Sequence, residues 1–268
     1  SLGEGATPVV RINLLEQKMP LKELWVKREE QNPTGSFKAR GFSAAVTIAH
    51  EAGIRKIAVN SNGNAASALA AYAARAGMEA YVFVPKDCPK LIVAECIGYG
   101  ARTYEVDGFI HDAGKIIEDG KKEQGWYSVG TLKEPGRVEG KKTMGLELAE
   151  QFGYRLPDVI IYPTGGGSGI IGMWKAFQEL REMKLITGDL PRLVSVQEDG
   201  CRPLVDAVSS GKFVSQPNEL VYSRPTGMRV PDPPNGHLLL SILKKSGGTA
   251  VSVRPEQIRG AQEMMGRH

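Results

Sequence analysis

Lys38 is the side chain whose surroundings in the sequence most favour chemistry. It lies in the stretch Asn32-Pro-Thr-Gly-Ser-Phe-Lys-Ala-Arg40, where Asn-Pro and Thr-Gly indicate a turn and Ser36 is a suitable N-cap for the helix that follows. A lysine in a first helical turn is unusual, because the helix dipole disfavours a cation there. The same field, with desolvation, would lower the pKa of the amine, as a nucleophilic or Schiff-base lysine requires. An exposed lysine that tolerates a poor position is the alternative.

A polar loop, Ser61-Asn62-Gly63-Asn64, directly follows the strand-like run Lys56–Asn60. In an open α/β sheet the loop after the carboxyl end of a strand is where ligands bind. Glycine allows the backbone to approach a ligand closely, and an asparagine at a helix start can both donate and accept hydrogen bonds. An ordinary Asn or Ser helix cap would explain the same residues, so the loop alone does not establish a site.

A glycine-rich loop forms the second candidate ligand site. Gly165-Gly166-Gly167-Ser168-Gly169 follows the strand-like run Asp158–Tyr162 and precedes a helical run. Four glycines in five residues lose much conformational entropy on folding, which makes a purely structural turn a poor explanation. Their N–H groups and the helix N-terminus predict a phosphate cradle. The Lys-Ser/Thr pair of a nucleotide P-loop does not follow.

A dinucleotide site is the rival interpretation of this loop. Gly167–Gly172 matches the Gly-x-Gly-x-x-Gly pattern after a strand, and Glu198 at the end of the next strand could bind a ribose hydroxyl. Glu198 lies farther along the chain than the ~20 residues usual for that role. This interpretation also leaves Lys38 and the polar loop unexplained.

Strand-like and helical runs alternate along most of the chain, which predicts a parallel sheet of βαβ units. Residues 136–140 and 224–236 are expected to be loops that cross between domains, because glycine and proline are concentrated there. The predicted strands are Val9–Leu14, Leu24–Lys27, Lys56–Asn60, Ala80–Pro85, Thr103–Asp107, Trp126–Val129, Asp158–Tyr162 and Arg192–Gln197. The predicted helices are Ala65–Ala76, Pro89–Ile97, Ile110–Glu123, Lys141–Phe152 and Ile170–Met183.

Composition excludes several classes of protein. With 41% hydrophobic and 24% charged residues, the 268-residue sequence is typical of a globular protein. A net charge of +4 without a long Lys/Arg run gives no indication of a nucleic-acid partner. No apolar run approaches the ~20 residues of a membrane span. Three cysteines without paired spacing argue against a disulfide framework or a zinc site, and we expect no metal and a reducing, cytoplasmic location.

The lysine turn, the polar loop and the glycine-rich loop, in this order, resemble the fold-type II (tryptophan synthase β-like) pyridoxal-phosphate enzymes. Further segments resemble the threonine-synthase branch of that family, and the resemblance runs over nearly the whole chain. These segments are Ser1-Leu-Gly-Glu-Gly-Ala-Thr-Pro8, Lys133-Glu-Pro-Gly-Arg-Val-Glu-Gly-Lys-Lys-Thr143 and Tyr162-Pro-Thr-Gly-Gly-Gly167.

The resemblance implies roles for the residues of all three segments. Lys38 would bind pyridoxal 5′-phosphate as a Schiff base and then transfer protons as general base and acid. Asn64 would donate a hydrogen bond to the phenolic oxygen of the cofactor. Its phosphate would be bound by backbone N–H groups of Gly165, Gly166, Gly167, Ser168 and Gly169.

Substrate binding is also implied by the resemblance. Ser61 and Asn62 would bind the carboxylate of an amino-acid substrate, and Arg137 would bind its phosphate group. The implied reaction converts O-phosphohomoserine and water to threonine and phosphate. A threonine or serine dehydratase remains an alternative, since those enzymes share the Gly-Ser-Phe-Lys-x-Arg-Gly turn. Relatives are commonly dimers, so a homodimer is expected.

The family fold implies two open three-layer α/β/α domains with mostly parallel sheets and the cofactor in the cleft between them. The smaller domain is expected to span residues 31–136, and the larger to combine residues 1–30 with 137–268. The family also has a C-terminal segment, with a Ser or Thr against the pyridine nitrogen, that we expect this chain to lack. A chain truncated in this way that binds ligand without catalysis is therefore a further alternative.

Overall fold

The structure is a computed structural model that describes residues 1–108, 110–212 and 223–267. The chain divides into two units, which are described separately here. The first unit comprises Ser1–Gly5, Glu30–Leu146 and Ile171–Ala176. The second comprises Ala6–Glu29, Glu147–Ile170 and Phe177–His268.

Helices and strands alternate along most of the described chain. The strands are β1 (Val9–Arg11), β2 (Trp25–Lys27), β3 (Lys56–Asn60), β4 (Glu79–Pro85), β5 (Arg102–Val106), β6 (Tyr127–Ser128), β7 (Val159–Pro163), β8 (Arg192–Glu198) and β9 (Thr249–Val253). The helices are α1 (Asn13–Glu16), α2 (Lys38–Glu51), α3 (Asn64–Arg75), α4 (Lys90–Gly98), α5 (Ile110–Gln124), α6 (Gly136–Gln151), α7 (Ser168–Glu182), α8 (Pro203–Ser209), α9 (Gly236–Lys245) and α10 (Pro255–Arg267).

The first unit is built on a parallel sheet with strand order β5-β4-β3-β6. Helix α3 is rich in alanine, and nine of its residues, Ala65 to Ala73, are buried, because small side chains let it pack closely among its neighbours. The main hydrophobic core of the unit includes Phe42, Leu69 and Val82, all fully buried. The predicted alternation of strands and helices is therefore present in this unit.

The second unit contains a parallel sheet with strand order β7-β8-β9 and a separate antiparallel pair, β1 and β2. Leu193, Ser195 and Gln197 alternate along β8 as buried residues. Parallel strands end at the same edge of a sheet, so the loop after β7 and the end of β8 are neighbours. Thr164 follows β7, and its N–H donates to the carbonyl oxygen of Val196 at 2.8 Å, which places the two together.

Two local predictions are wrong. Residues 136–140 were expected to form a loop, but they are the first five residues of α6. The carboxylate of Glu134 caps this helix, and Gly136 and Gly140 are packing positions rather than helix breakers. Asn13 and Leu14 were expected to be extended, yet they belong to α1, whose turn buries Leu15.

Candidate active site

Lys38 is the first residue of α2, as the sequence predicts. The preceding turn is tight, with φ values of 59° at Thr34 and 66° at Gly35. Phe37, and not the predicted Ser36, is the N-cap of α2, although the Oγ of Ser36 accepts a hydrogen bond from the backbone N–H of Lys38 at 3.3 Å. The Nζ of Lys38 lies 4.5 Å from the centroid of the Phe37 ring.

The pKa of the Lys38 amine is lowered to near neutral pH. Burial, and then the positive charge of Arg137, lower the pKa of Lys38 from its ordinary value to about 7. Lys38 as a whole residue is half-buried. An amine with this pKa is partly deprotonated at neutral pH and can act as a nucleophile and a general base.

Arg137 is a buried cation with unused hydrogen-bond donors. Its side chain is 1% exposed, and its guanidinium carbon lies 4.6 Å from the ring centroid of Phe42. Nη1 donates to the carbonyl oxygen of Val129 at 2.8 Å, whereas Nε and Nη2 have no hydrogen-bond partner among the described residues. Burial lowers the pKa of Arg137 to about 10, although the negative charge of Glu134 opposes this. The group therefore remains a cation at neutral pH.

The carboxylate of Glu134 caps α6 with both of its oxygens. Oε2 accepts from the backbone N–H of Gly136 at 2.6 Å, and Oε1 accepts from the backbone N–H of Arg137 at 2.8 Å. A carboxylate bound in this way stabilises the positive end of the helix dipole. It thus satisfies backbone donors at the helix start and leaves Nε and Nη2 of Arg137 without a partner.

Lys141 is a further buried basic residue, which the sequence analysis missed. It lies one helical turn after Arg137 on α6, is fully buried, and donates from Nζ to the carbonyl oxygen of Arg137 at 3.3 Å. Burial, followed by the charges of Arg137 and Lys38, holds the pKa of Lys141 well below its ordinary value. The signal that could have revealed it is the four-residue spacing, which places both side chains on one face of a helix.

Glycines bring α2 and α6 into close contact. A Cβ on Gly140 would overlap the carbonyl oxygen of Arg40 and would lie 2.9 Å from the Cα of Gly41. A Cβ on Gly41 would lie 2.9 Å from both the carbonyl oxygen of Arg137 and the Nζ of Lys141. The absence of these two methyl groups therefore lets the two helices that carry Lys38, Arg137 and Lys141 meet within the first unit.

The polar loop also belongs to the first unit. The backbone N–H of Ser61 donates to the carbonyl oxygen of Phe83 at 3.1 Å, and the Oγ of Ser61 accepts from the N–H of Gly63 at 3.2 Å. Asn62 is half-buried, and Asn64 is an exposed residue that begins α3. Helix α3 contacts α2 and the turn that precedes Lys38. The loop therefore follows β3 as predicted, and its ligand-binding role remains a prediction.

The glycine-rich loop lies in the second unit, between β7 and α7. A Cβ on Gly165 would lie 3.0 Å from the carbonyl oxygen of Gly227, one on Gly167 would overlap the side chain of Leu239, and one on Gly169 would overlap Tyr162. Gly167 also has a φ of 75°. The start of α7 has no side-chain cap hydrogen bond. Its first N–H groups therefore remain suited to an anion.

Side chains of β8 fix the position of this loop. The Nε2 of Gln197 donates to the carbonyl oxygen of Thr164 at 3.4 Å, and its Oε1 accepts from the N–H of Leu204 at 3.0 Å. Glu198 accepts from the Oγ of Ser223 and the N–H of Arg224, each at 2.8 Å. Because its carboxylate is bound in this way, Glu198 is poorly placed to receive a ribose hydroxyl, which argues against the dinucleotide interpretation.

Two further features are absent from the described parts of the chain. No helix there combines the length and the apolar character that crossing a membrane requires. No group of three or more His, Cys, Asp or Glu residues is arranged to hold a metal ion in those parts. Cys88, Cys96 and Cys201 are free and buried.

Comparison with known proteins gives a consistent result. A family described as pyridoxal-phosphate dependent enzymes matches residues 1–268. Threonine synthase of Methanocaldococcus jannaschii is 37% identical over 273 residues, which cover 100% of this chain and 66% of the relative. Threonine synthase of Methanosarcina acetivorans is 36% identical over 268 residues, again covering 100% of this chain and 66% of the relative. The chain thus spans slightly less than two thirds of the length of these relatives.

Solved structures support the same fold. Serine racemase from maize superposes with a TM-score of 0.82 at 23% identity, and the match covers 96% of this chain and 74% of that protein. At this identity the likeness concerns the fold alone. Together with the parallel sheets described above, it confirms the predicted α/β fold of the tryptophan synthase β-like class.

Proposed function

This chain belongs to the pyridoxal-phosphate dependent enzyme family, and from that premise we propose that it acts as a lyase of the threonine-synthase type. The proposed reaction converts O-phosphohomoserine and water to threonine and phosphate. The main support for a phosphorylated substrate is the buried guanidinium of Arg137. Its Nε and Nη2 have no hydrogen-bond partner among the described residues. A guanidinium offers paired donors that match the oxygens of a phosphate group.

The residues present fit pyridoxal phosphate, the cofactor of the family. An amine with a pKa of about 7 at Lys38 suits covalent attachment to an aldehyde, and the uncapped start of α7 suits the cofactor phosphate. We assign the phosphate to the N–H groups of Gly165–Gly169 and the phenolic oxygen to Asn64. When bound, the cofactor delocalises the negative charge that remains after the substrate α-carbon loses a proton.

The chain's own residues would bind the substrate and move protons. Ser61 and Asn62 would bind the substrate carboxylate and thereby fix the orientation of the α-carbon. Lys38, once released from the cofactor, would accept the α-proton at Nζ and return it later, because its pKa of about 7 allows both steps at neutral pH. Arg137 would bind the phosphate and stabilise its charge as it leaves the γ-carbon, before water adds at the β-carbon.

The wider organisation is proposed on the same basis. We assign residues 31–136 to a smaller domain, and residues 1–30 with 137–268 to a larger one. The three free, buried cysteines support a reducing compartment, and we propose a cytoplasmic protein. A homodimer is proposed from the resemblance to the family. Size-exclusion chromatography with light scattering would test the dimer directly.

Measurement of phosphate release tests the proposed activity. The purified chain with added pyridoxal phosphate should release phosphate from O-phosphohomoserine and form threonine in equal amount. Arg137→Gln should lower kcat/KM by about 10–100-fold, as expected for the loss of a hydrogen bond to a charged group. Formation of a 2-oxo acid from threonine, without phosphate release from O-phosphohomoserine, would instead identify a dehydratase and refute the proposal.

A further inference from the structure

The segment Ser1–Gly5, called the arm below, lies in the first unit and is attached to it through one carboxylate. Glu4 accepts hydrogen bonds from the Oγ of Ser43 at 2.5 Å and from the hydroxyl of Tyr72 at 2.6 Å. Ser43 belongs to α2, and Tyr72 lies in the last turn of α3. The carboxylate therefore bridges two helices that also pack against each other.

The hydrogen bonds to Glu4 are strong because the carboxylate stays charged. Burial raises the pKa of Glu4, but hydrogen bonds from Ser43, Tyr72 and the backbone outweigh burial and lower the pKa from its ordinary value to about 2. Burial, and then the hydrogen bond to Glu4, raise the pKa of Tyr72, so its hydroxyl keeps its proton and remains a donor. Hydrogen bonds to an ionised acceptor are stronger than those between neutral groups. The contact therefore persists from weakly acidic to alkaline pH.

The arm also contacts the turn that precedes Lys38. The N–H of Gly5 donates to the Oδ1 of Asn32 at 3.0 Å, and Asn32 is 4% exposed. The carbonyl oxygen of Asn32 in turn accepts from the N–H of Gly35 at 2.9 Å, within the tight turn. A short series of contacts therefore joins Glu4 to the start of α2.

We propose that Glu4 is a positioning residue for Lys38. Through its hydrogen bonds to α2 and α3 the carboxylate holds the arm in place, and the arm fixes the turn that precedes Lys38. The inference rests on the proposed function, in which Lys38 binds the cofactor, and adds a residue that acts through Lys38. Such support matters because a misplacement of about 1 Å at a reacting group can cost about 100-fold in rate.

An electrostatic effect of Glu4 on Lys38 is a different explanation, and the structure argues against it. Burial and the charge of Arg137 are what lower the pKa of Lys38. Loss of the contact at Glu4 should therefore act through hydration, because a looser turn exposes the amine and raises its pKa toward the ordinary value.

A purely structural role for Glu4 predicts another result. If its hydrogen bonds only stabilise the first unit, their loss should lower the melting temperature. The reaction of Lys38 in the protein that remains folded would then be unchanged. Stability and the behaviour of Lys38 must therefore be measured separately.

Two variants weaken the contact, and a third is the matched control. Tyr72→Phe removes one hydroxyl that donates to Glu4, and Glu4→Gln removes the charge while it keeps the size of the side chain. Tyr81→Phe is the control, because the Tyr81 hydroxyl donates to Glu79 at 2.9 Å and Tyr81 is 5% exposed, compared with 3% for Tyr72. The control thus makes the same chemical change at a tyrosine–glutamate pair outside the arm.

Two quantities are measured on each purified full chain, below its melting temperature. The first is backbone hydrogen exchange of the peptide that covers residues 32–39, before pyridoxal phosphate is added, because exchange reports local opening. The second is the rate at which an adduct of pyridoxal phosphate, trapped by borohydride, accumulates on Lys38 as the pH is raised from weakly acidic to alkaline values. Glu4 is ionised throughout this range, so the pH profile reports on Lys38.

We expect Glu4→Gln and Tyr72→Phe to speed the exchange of residues 32–39 about tenfold or more, as the loss of a hydrogen bond to a charged group should. Both variants should also slow the reaction of Lys38 with pyridoxal phosphate and move the midpoint of its pH profile to higher pH. Tyr81→Phe should change the exchange and the reaction rate less than about twofold, whatever its melting temperature.

The proposal is overturned if Glu4→Gln and Tyr72→Phe exchange residues 32–39 like the wild type, or if exchange rises while the reaction of Lys38 stays the same. Equal effects of Tyr81→Phe would also overturn it, since a general loss of stability would then explain the results. Absence of an adduct on Lys38 in the wild type would refute the cofactor role of Lys38 in the proposed function. Hydrogen exchange would in that case decide whether Glu4 fixes the turn.

Discussion

Substitution of Gly140 by alanine tests the close contact between α2 and α6, the helices that carry Lys38, Arg137 and Lys141. In α6 an alanine is intrinsically more favourable than a glycine by about 1 kcal/mol, so helix propensity alone predicts stabilisation. The new Cβ would overlap the carbonyl oxygen of Arg40 and would approach the Cα of Gly41 to 2.9 Å. These are backbone atoms of α2, which cannot rotate away as a side chain could.

The magnitude follows from the balance of these two effects. Added atoms in a close-packed contact cost about 1–3 kcal/mol, and a clash with backbone lies at the upper end of that range. After the gain in helix propensity is subtracted, the free energy of unfolding should fall by about 2 kcal/mol. The displaced α6 should also weaken the influence of Arg137 on the pKa of Lys38, because the guanidinium would move away from α2.

The assay is equilibrium unfolding in urea, with Gly260→Ala as the matched control. Gly260 lies within α10, and a Cβ there would meet nothing within 4 Å. The same chemical change at Gly260 should therefore stabilise the protein, by up to about 1 kcal/mol. A Gly140→Ala midpoint at or above that of the wild type, with a similar denaturant dependence, would refute the close helix contact described here.

Two further predictions concern the proposed cofactor residues. The rate at which Lys38 reacts with pyridoxal phosphate should rise with pH and level off above about 7, because deprotonation makes the amine nucleophilic. Arg137→Gln should move the midpoint of this pH profile to higher pH. A wild-type midpoint near the pKa of free lysine would contradict the buried amine. Gly167→Ala should weaken cofactor binding and destabilise the protein by about 2–4 kcal/mol, because the position has a φ of 75° and its Cβ would overlap Leu239. A melting temperature equal to that of the wild type would contradict this prediction.

The regular parts of the fold were predictable from local patterns. The predicted strand Lys56–Asn60 coincides with β3, and the glycine-rich loop was placed correctly between a strand and a helix. Both features depend on residues that are adjacent in sequence: a short apolar run followed by a turn, and glycines before a helical run. The position of Lys38 in the first turn of α2 was predictable for the same reason.

The start of α6 was not predictable in this way. Gly136 and Gly140 have the local character of helix breakers, but each lies against a residue far away in sequence, Ala45 for Gly136 and Arg40 for Gly140. Only the folded structure shows that these glycines permit a close contact. The misplaced helix start also hid Lys141, since its alignment with Arg137 exists only if the helix includes both residues. The start of α6 therefore depends on contacts between residues far apart in sequence, which local sequence patterns do not show.

The measurement that most directly tests the account is borohydride reduction of the purified chain with pyridoxal phosphate, in which the visible spectrum is recorded before and after reduction and the peptides are then analysed by mass spectrometry. Lys38→Ala is treated in the same way. The account predicts a yellow absorption band that disappears on reduction, a covalent adduct on the peptide that contains Lys38, and neither feature in the variant. An adduct of equal yield in Lys38→Ala, or the absence of any adduct in the wild type, would contradict the assignment of Lys38 as the residue that binds the cofactor.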